Sequence, residues 1–237
     1  MKIDIHSQPD DESCGATSLH AIYNYFNDPI SLGEIMAEVE TVATGGTIGA
    51  LLASHALRRG YDVEMYVYNV NFFDPTWFYP QALPMAEIAE KLRAQIQYKE
   101  GSRFAHSSEA YIQFIELGGL LRFRDLSPDL LSEYFTQNLP IITGLSATYL
   151  YRTARDTFEN EVYGHDDVRG IPTGHFVVLC GQDPENHTVT VADPHVTNPI
   201  SQNNYYIVNT MRLINAIMLG VLTYDANLVI FKPRGKP

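Results

Sequence analysis

The order of the hydrophobic patterns along the chain is the feature that most constrains its fold. Before residue 140, apolar side chains such as Leu19, Tyr23 and Phe26 recur at three- and four-residue spacing, which indicates amphipathic helices, with one strand predicted at 61–69. After residue 140, short alternating runs indicate strands, and only residues 209–218 are predicted to be helical. This order predicts an α+β fold, with N-terminal helices packed on a C-terminal antiparallel sheet.

Length and composition favour a single globular domain. The 237 residues are 45% hydrophobic, enough for a sizeable core, and no repeat or glycine- and proline-rich linker divides them. We predict one domain over residues 1–237, with a helical insertion at about 70–137. The sequence contains neither a signal-peptide core nor a run of about 18 apolar residues, so a cytoplasmic protein with free thiols is expected.

The charge of the chain argues against two classes of partner. The sequence has 28 acidic and 16 basic residues, a formal net charge of -12, whereas nucleic acids and anionic membranes attract basic surfaces. We expect neither as a partner, and no cofactor; the oligomeric state is not encoded in any pattern. His165, Asp166 and Asp167 could contact a metal, but contiguous residues without spaced partners favour a polar, mobile loop beside a cleft.

A predicted hairpin brings a histidine and a carboxylate together. In the strand HFVVLC, alternation places His175 and Leu179 on one face. If residues 182–186 form the turn, Asp193 lies directly opposite His175. The same register places Val189 opposite Leu179, which keeps the face apolar. A direct pair has Cβ atoms about 4.5–5.5 Å apart, within reach of a hydrogen bond that would orient the imidazole in nucleophilic catalysis.

The stretch QPDDESCGAT, residues 8–17, supplies a candidate nucleophile. Cys14 lies at the start of the first predicted helix, where unpaired N–H groups and the helix dipole stabilise a thiolate. Its backbone N–H and the Gln8 side-chain amide could both donate to an oxyanion. In the alternative interpretation, Cys14 is a small core residue and Gln8 is an ordinary loop residue. The acids at 10–12 are expected to be solvated, or else to select a basic substrate, and Cys180 is predicted to lie in the core.

These residues, in this order, resemble the papain-like cysteine peptidase superfamily, and most closely the bacteriocin-processing peptidases that cut leader peptides after a double glycine. The resemblance rests on QPDDESCGAT, HFVVL and ADP, with weaker similarity in GTIGALLASHALRRG. It implies a papain-like fold with Cys14 as nucleophile, His175 as general base and acid, Asp193 as orienting carboxylate and Gln8 as oxyanion donor. It therefore implies a cysteine peptidase that cleaves a peptide or protein substrate through an acyl-enzyme.

Two alternative functions use the same residues differently. If an amine replaced water in the second step, the chain would be an acyl- or amidotransferase. A papain-like domain could also bind peptides without cleaving them. The presence of Cys14 counts against that second alternative.

Overall fold

A central β-sheet with helices on both faces makes up the fold. The computed structural model describes residues 1–41, 46–159 and 162–235. The α-helices are α1 (Cys14–Tyr25), α2 (Leu32–Glu38), α3 (Gly49–Arg58), α4 (Met85–Ile96), α5 (Ser102–Glu116), α6 (Pro128–Phe135), α7 (Ala147–Tyr151) and α8 (Thr210–Leu219). The strands are β1 (Tyr61–Val67), β2 (Leu120–Arg122), β3 (Ile141–Ser146), β4 (Asp156–Glu159), β5 (Val162–His165), β6 (Gly174–Asp183), β7 (Thr188–Ala192), β8 (Tyr205–Asn209) and β9 (Asn227–Pro233).

The sheet is mostly antiparallel, as the α+β prediction requires. Within the described residues, seven strands follow the order β2-β1-β9-β3-β6-β7-β8, and β4 pairs with β5 in a separate hairpin. Only the edge pair of β1 and β2 is parallel among these neighbours. The predicted α+β class is therefore confirmed.

Helix α7 contradicts the prediction for the second half of the chain, and the hairpin of β4 and β5 was not predicted either. Residues 209–218 are helical as expected, within α8, but α7 is also a helix. The Ser146 side chain accepts a hydrogen bond from the backbone N–H of Tyr149 and caps α7 where β3 ends. Because α7 is only five residues long, it is too short to show the periodicity on which helix prediction depends.

The sheet separates two hydrophobic cores. On one face, Phe176 and Val178 pack in the core that includes residues of α1, α3, α4 and α5. On the other face, Val177 and Leu179 pack in the core that includes residues of α6 and α8. The alternation predicted for this strand is therefore observed, and His175, at the start of β6, shares the face of Val177.

The β6–β7 hairpin has a different register from the predicted one. Leu179 lies opposite Val191 and not opposite Val189, so the prediction is wrong by two residues at this end of the hairpin. Asp193 is consequently not directly opposite His175. Because side chains alternate with a period of two, a displacement by two residues leaves both on the same face.

The register differs because the turn begins two residues later than predicted and ends one residue later. Asp183 is the last residue of β6 and pairs with Thr188, which leaves residues 184–187 as the turn. The Asp183 carboxylate accepts the backbone N–H groups of Glu185 and Asn186 over 3.0 and 3.1 Å. Asp183 is therefore the last residue of the strand and also caps the turn that follows. The prediction placed Asp183 within the turn because aspartate is a typical turn residue.

A β-bulge at Cys180 places Asp193 on the same face of the sheet as His175. The pairing shifts by one residue at this position, so the turn side and the far side of the hairpin have different registers. If the turn-side register continued without the shift, Asp193 would lie opposite Val178, on the face away from His175. Cys180 itself is buried, as predicted, and burial raises the pKa of its thiol to about 11.

Residues 70–137 form the segment predicted as an insertion. The segment contains α4, α5, β2 and α6. Helices α4 and α5 pack together, and α5 also packs against α3, so the segment shares the core of the remaining chain. Its status as an insertion stays a prediction.

Across residues 1–41, 46–159 and 162–235, no helix is both long and apolar enough to cross a bilayer.

A glycine before β9 leaves no space for a side chain. A Cβ at Gly220 would lie 1.8 Å from the backbone oxygen of Asp225. We expect Gly220→Ala to lower the free energy of unfolding by about 2–4 kcal/mol, because the backbone between the two residues must move. Gly33→Ala is the matched control, since no atom lies within 4 Å of its Cβ position. Urea unfolding measures both variants; equal stability for wild type and Gly220→Ala would contradict the prediction.

Candidate active site

A buried imidazole–carboxylate pair lies at the start of β6. Nε2 of His175 donates to Oδ1 of Asp193 over 2.8 Å, and the two side chains are 8% and 0% exposed. The hydrogen bond that the sequence predicted is present, although through a different strand register. With Nε2 committed to the carboxylate, Nδ1 is the ring nitrogen available for exchange with a nucleophile.

Four donors in the described part of the chain hold the Asp193 carboxylate. Oδ1 also accepts the backbone N–H of His195 over 2.8 Å, and Oδ2 accepts the hydroxyls of Tyr151 and Tyr206 over 2.7 and 2.8 Å. Burial alone would raise the pKa of Asp193, but the charge of His175 and these hydrogen bonds lower it. The carboxylate is therefore ionised and fixed in orientation.

The two tyrosines are site residues that sequence reasoning missed. Burial, followed by the Asp193 charge, raises the pKa of Tyr151 and of Tyr206, so both phenols remain protonated donors. Tyr151 ends the unpredicted helix α7, and Tyr206 alternates inward on β8. The one sequence signal for a role of Tyr206 was the alternation along β8, which points this residue inward. Because the chain has fifteen tyrosines, that pattern favoured simple packing in the core.

The electrostatics of His175 favour the imidazolium. Burial alone would lower its pKa, but the charges of Asp193 and Cys14, together with hydrogen bonds to both side chains, outweigh burial and raise the pKa to about 10. An imidazole held between a carboxylate and a thiol is the arrangement needed to stabilise a thiolate.

Cys14 is the first residue of α1, at the helix end where backbone N–H groups lack helical partners. Ser13 precedes it and makes no side-chain hydrogen bond to the helix, so these N–H groups are not capped from that position. A Cβ at Gly15 would lie 2.6 Å from the Thr47 methyl group and 3.1 Å from Leu52. Glycine after the cysteine therefore lets this end of α1 approach α3 closely, which sets the position of the thiol.

A backbone hydrogen bond holds Gln8 close to the residue that follows Asp193. Its N–H donates to the carbonyl of Pro194 over 2.9 Å, which ties the segment before Cys14 to the residue after Asp193. Its Nε2 donates to the backbone oxygen of Asp10 over 2.8 Å. Gln8 therefore lies at the cleft, with one Nε2 hydrogen committed and the other available to a ligand.

The acids between Gln8 and Cys14 include a turn-forming residue. Asp10 accepts the backbone N–H of Glu12 on its carboxylate over 3.0 Å and the Ser13 hydroxyl on its carbonyl over 3.2 Å. These bonds shape the turn that leads into α1. Asp11 is exposed and lines the cleft, so the expectation of solvated acids holds for their side chains.

A cleft of about 540 Å³ opens at His175. His195 lines it, with its ring centroid 6.2 Å from that of His175, and burial, followed by the His175 charge, lowers its pKa. Gly164 and His165 form part of the wall, which agrees with the predicted position of residues 164–170 beside the cleft, but they end strand β5 and do not belong to a loop. Asp166 instead accepts backbone N–H groups within its own turn. In the described ranges no group of three or more histidine, cysteine or acidic residues is arranged to hold a metal.

The His175–Asp193 pair makes the stability of the protein depend on pH. The raised pKa of His175 means that its contribution is complete below about pH 6.5 and is lost as the pH rises through about 10. The lowered pKa of Asp193 means that its contribution is present above about pH 4 and is lost as the pH falls through the folded value. Both contribute in full between about pH 4 and 6.5.

We expect the stability difference between wild type and His175→Gln to be largest near about pH 6 and to shrink towards about pH 10. Urea unfolding at several pH values measures this difference. A difference that stays constant over this range would contradict the assignment of the charged pair.

Comparison with known proteins found similar structures only. No protein family and no curated protein matches the sequence. The chain is similar in structure to a double-glycine-motif protease from an AMS/PCAT transporter in complex with its leader peptide (15% identity, TM-score 0.43, covering 98% of this chain and 92% of that one). It is also similar to the peptidase domain of Streptococcus ComA, a bifunctional ABC transporter (10%, 0.45, 98% and 100%). A third similar structure is xylellain, a cysteine protease from Xylella fastidiosa (14%, 0.46, 98% and 84%).

Proposed function

We propose that this chain is a cysteine peptidase that hydrolyses a peptide or amide bond. The observation that supports the proposal is the buried His175 ring, which interacts with Asp193 on one side and with the helix-terminal thiol of Cys14 on the other, at the wall of a cleft. A nucleophile, a base and an orienting group in this relation are the requirements of covalent acyl transfer.

In the first step, Sγ of Cys14 attacks the carbonyl carbon of the substrate, with the thiol proton held on Nδ1 of His175. The C–N bond then breaks as Nδ1 protonates the leaving amine, and the acyl group remains on Cys14 as a thioester. Asp193 keeps Nε2 protonated and supports the imidazolium while the proton is on Nδ1.

In the second step, water replaces the amine. His175 takes a proton from the water as the oxygen adds to the thioester carbon. The C–S bond then breaks, which releases a carboxylic acid and regenerates the pair of Cys14 and His175.

The developing oxyanion requires donors that are already in position. We assign this role to the backbone N–H of Cys14 and to the second Nε2 hydrogen of Gln8. The backbone bond from Gln8 to Pro194 supports the assignment, because it ties Gln8, which lines the cleft, to the residue that follows Asp193.

Alkylation of the thiol tests the proposal without a known substrate. Iodoacetamide is expected to modify Cys14 at about pH 6–7 at least about tenfold faster than a free model thiol, because a free thiol is only a few per cent ionised there. Mass spectrometry locates the adduct, and the buried Cys180 serves as an internal control. His175→Ala should slow the reaction. If Cys14 reacts no faster than the model thiol, or if His175→Ala keeps the full rate, the proposal is wrong.

A further inference from the structure

A second cavity of about 360 Å³ adjoins the catalytic cleft. The two share Thr148, which lines both. The charged residues of this cavity are Arg152 and Arg155, and its apolar wall includes Leu219 and Leu222. In the described part of the chain, no carboxylate contributes to the lining.

Acids outnumber bases by 28 to 16 in this chain, but not every arginine has an acidic partner. Six of the eleven arginines form ion pairs within the described residues, namely Arg59 with Asp28, Arg93 with Glu90, Arg122 with Glu64, Arg124 with Glu133, Arg169 with Asp166 and Arg234 with Asp62. Neither Arg152 nor Arg155 forms an ion pair with any residue in the described ranges. Asp156 lines the adjoining cleft, but its carboxylate is bonded to His165 and Thr173. Two positive charges therefore line the cavity without an acidic partner among the described residues.

Hydrogen bonds hold the side chain of Arg155, and the end of α7 sets the backbone conformation of Arg152. Arg155 Nη2 donates to the backbone oxygens of Asp167 and Val168 over 2.5 and 3.4 Å, which holds the guanidinium and leaves its other N–H groups for a ligand. Arg152 ends α7 in the left-handed conformation, with φ at 58°, where glycine or asparagine would be less strained. It directly follows Tyr151, the residue that holds Asp193.

A third arginine adds positive charge to the same region. Burial, followed by the charge of Arg152, lowers the pKa of Arg212. Arg212 donates to the carbonyl of Leu150 in α7, and its buried Nε has no partner in the described part of the chain. The neighbourhood of Arg152 therefore carries an excess of positive charge.

We propose that this cavity, here called the arginine subsite (Arg152 and Arg155), binds the carboxylate of a glutamate side chain in a peptide that extends from the catalytic cleft. A guanidinium group can bind a carboxylate through two parallel hydrogen bonds, and the leucines of the wall can cover the methylene groups that precede it. The subsite rests on the proposed function only in that the bound peptide is also the substrate. Binding of an acidic peptide can be measured without any cleavage.

Paired peptides test the arginine subsite. The probes are short N-acetylated, C-amidated peptides on an array, identical within each pair except for glutamate or glutamine at the central position. The full chain carrying Cys14→Ala is applied, so that no peptide is cut. We expect the glutamate member of the bound pairs to bind about tenfold more tightly, equivalent to about 1.4 kcal/mol, and the preference to weaken from about 50 to 500 mM NaCl.

Charge variants in the Cys14→Ala background provide the controls. Arg152→Gln with Arg155→Gln should reduce the preference to less than about twofold, whereas Arg93→Gln with Arg234→Gln removes two exposed, ion-paired charges and should leave it intact. If the first double variant does not fold, its two single variants, each expected to lose about threefold, carry the test.

Three results would overturn the proposal: equal binding of both members of every pair, a preference that survives loss of both arginines, or no peptide binding at all. The outcomes also separate the two hypotheses. A glutamate preference together with an unreactive Cys14 supports the subsite and contradicts the peptidase function. Hydrolysis without any glutamate preference would support the peptidase function and contradict the arginine subsite.

Discussion

Cys14→Ala is expected to reduce peptide hydrolysis by a factor on the order of 10⁴ or more, because no acyl-enzyme can form without the thiol. Substrate binding should persist, since the cleft, Gln8 and the His175–Asp193 pair are unchanged. A substrate identified by a peptide-library cleavage screen provides the assay, with kcat and KM measured separately.

Cys180→Ala is the matched control for this variant. It removes the other thiol, which is buried in the core and faces away from the cleft. Activity should remain close to wild type at temperatures below the melting transition. Hydrolysis that survives Cys14→Ala, or that is abolished by Cys180→Ala in folded protein, would exclude Cys14 as the nucleophile.

Asp193→Asn is expected to lower both stability and activity. The amide replaces one acceptor oxygen with a donor, so either the tyrosine hydroxyls at Oδ2 or the N–H groups of His175 and His195 at Oδ1 lose their acceptor. His175 also loses its countercharge. We expect a loss of about 3 kcal/mol, which corresponds to a fall in melting temperature of about 6–12 °C. Below the transition, kcat should fall by at least about tenfold, with a smaller change in KM.

Asp183→Asn, at the other end of the same hairpin, is the control for this change. Asp183 is exposed and accepts backbone N–H groups in the turn, a role that asparagine also fills. Its melting temperature should change little. An Asp193→Asn variant as stable and active as wild type would show that the four hydrogen bonds to this carboxylate do not matter for folding or catalysis.

Much of the fold and part of the candidate site could be predicted from local patterns. Three- and four-residue spacing indicated α1, and two-residue alternation indicated which face of β6 carries His175. These signals depend only on consecutive residues, and the structure shows both. The roles of Cys14, Gln8 and Asp193 in catalysis remain proposals.

The parts that could not be predicted depend on residues distant in sequence or on very short elements. Tyr151 and Tyr206 meet at Asp193 only because α7 packs on the face of the sheet towards which Tyr206 of β8 points, and no pattern in either segment indicates the other. The strand register required the strand end at Asp183 and the bulge at Cys180. The strand end lies two residues beyond the predicted one, and the bulge adds one unpaired residue to β6; hydrophobic alternation before the turn indicates neither change.

The bulge at Cys180 limits how the hairpin can change in length. Loss of this single residue would remove the bulge but leave both registers as they are, because Leu179–Val191 and Gly181–Thr190 would become consecutive pairs. Insertion of one residue into β6 between the bulge and Asp183 would instead move the far half of the hairpin by one position and turn the carboxylate of Asp193 away from the imidazole. The hairpin can therefore lose the bulge residue while the pair stays intact, but it cannot gain a single paired residue on this strand.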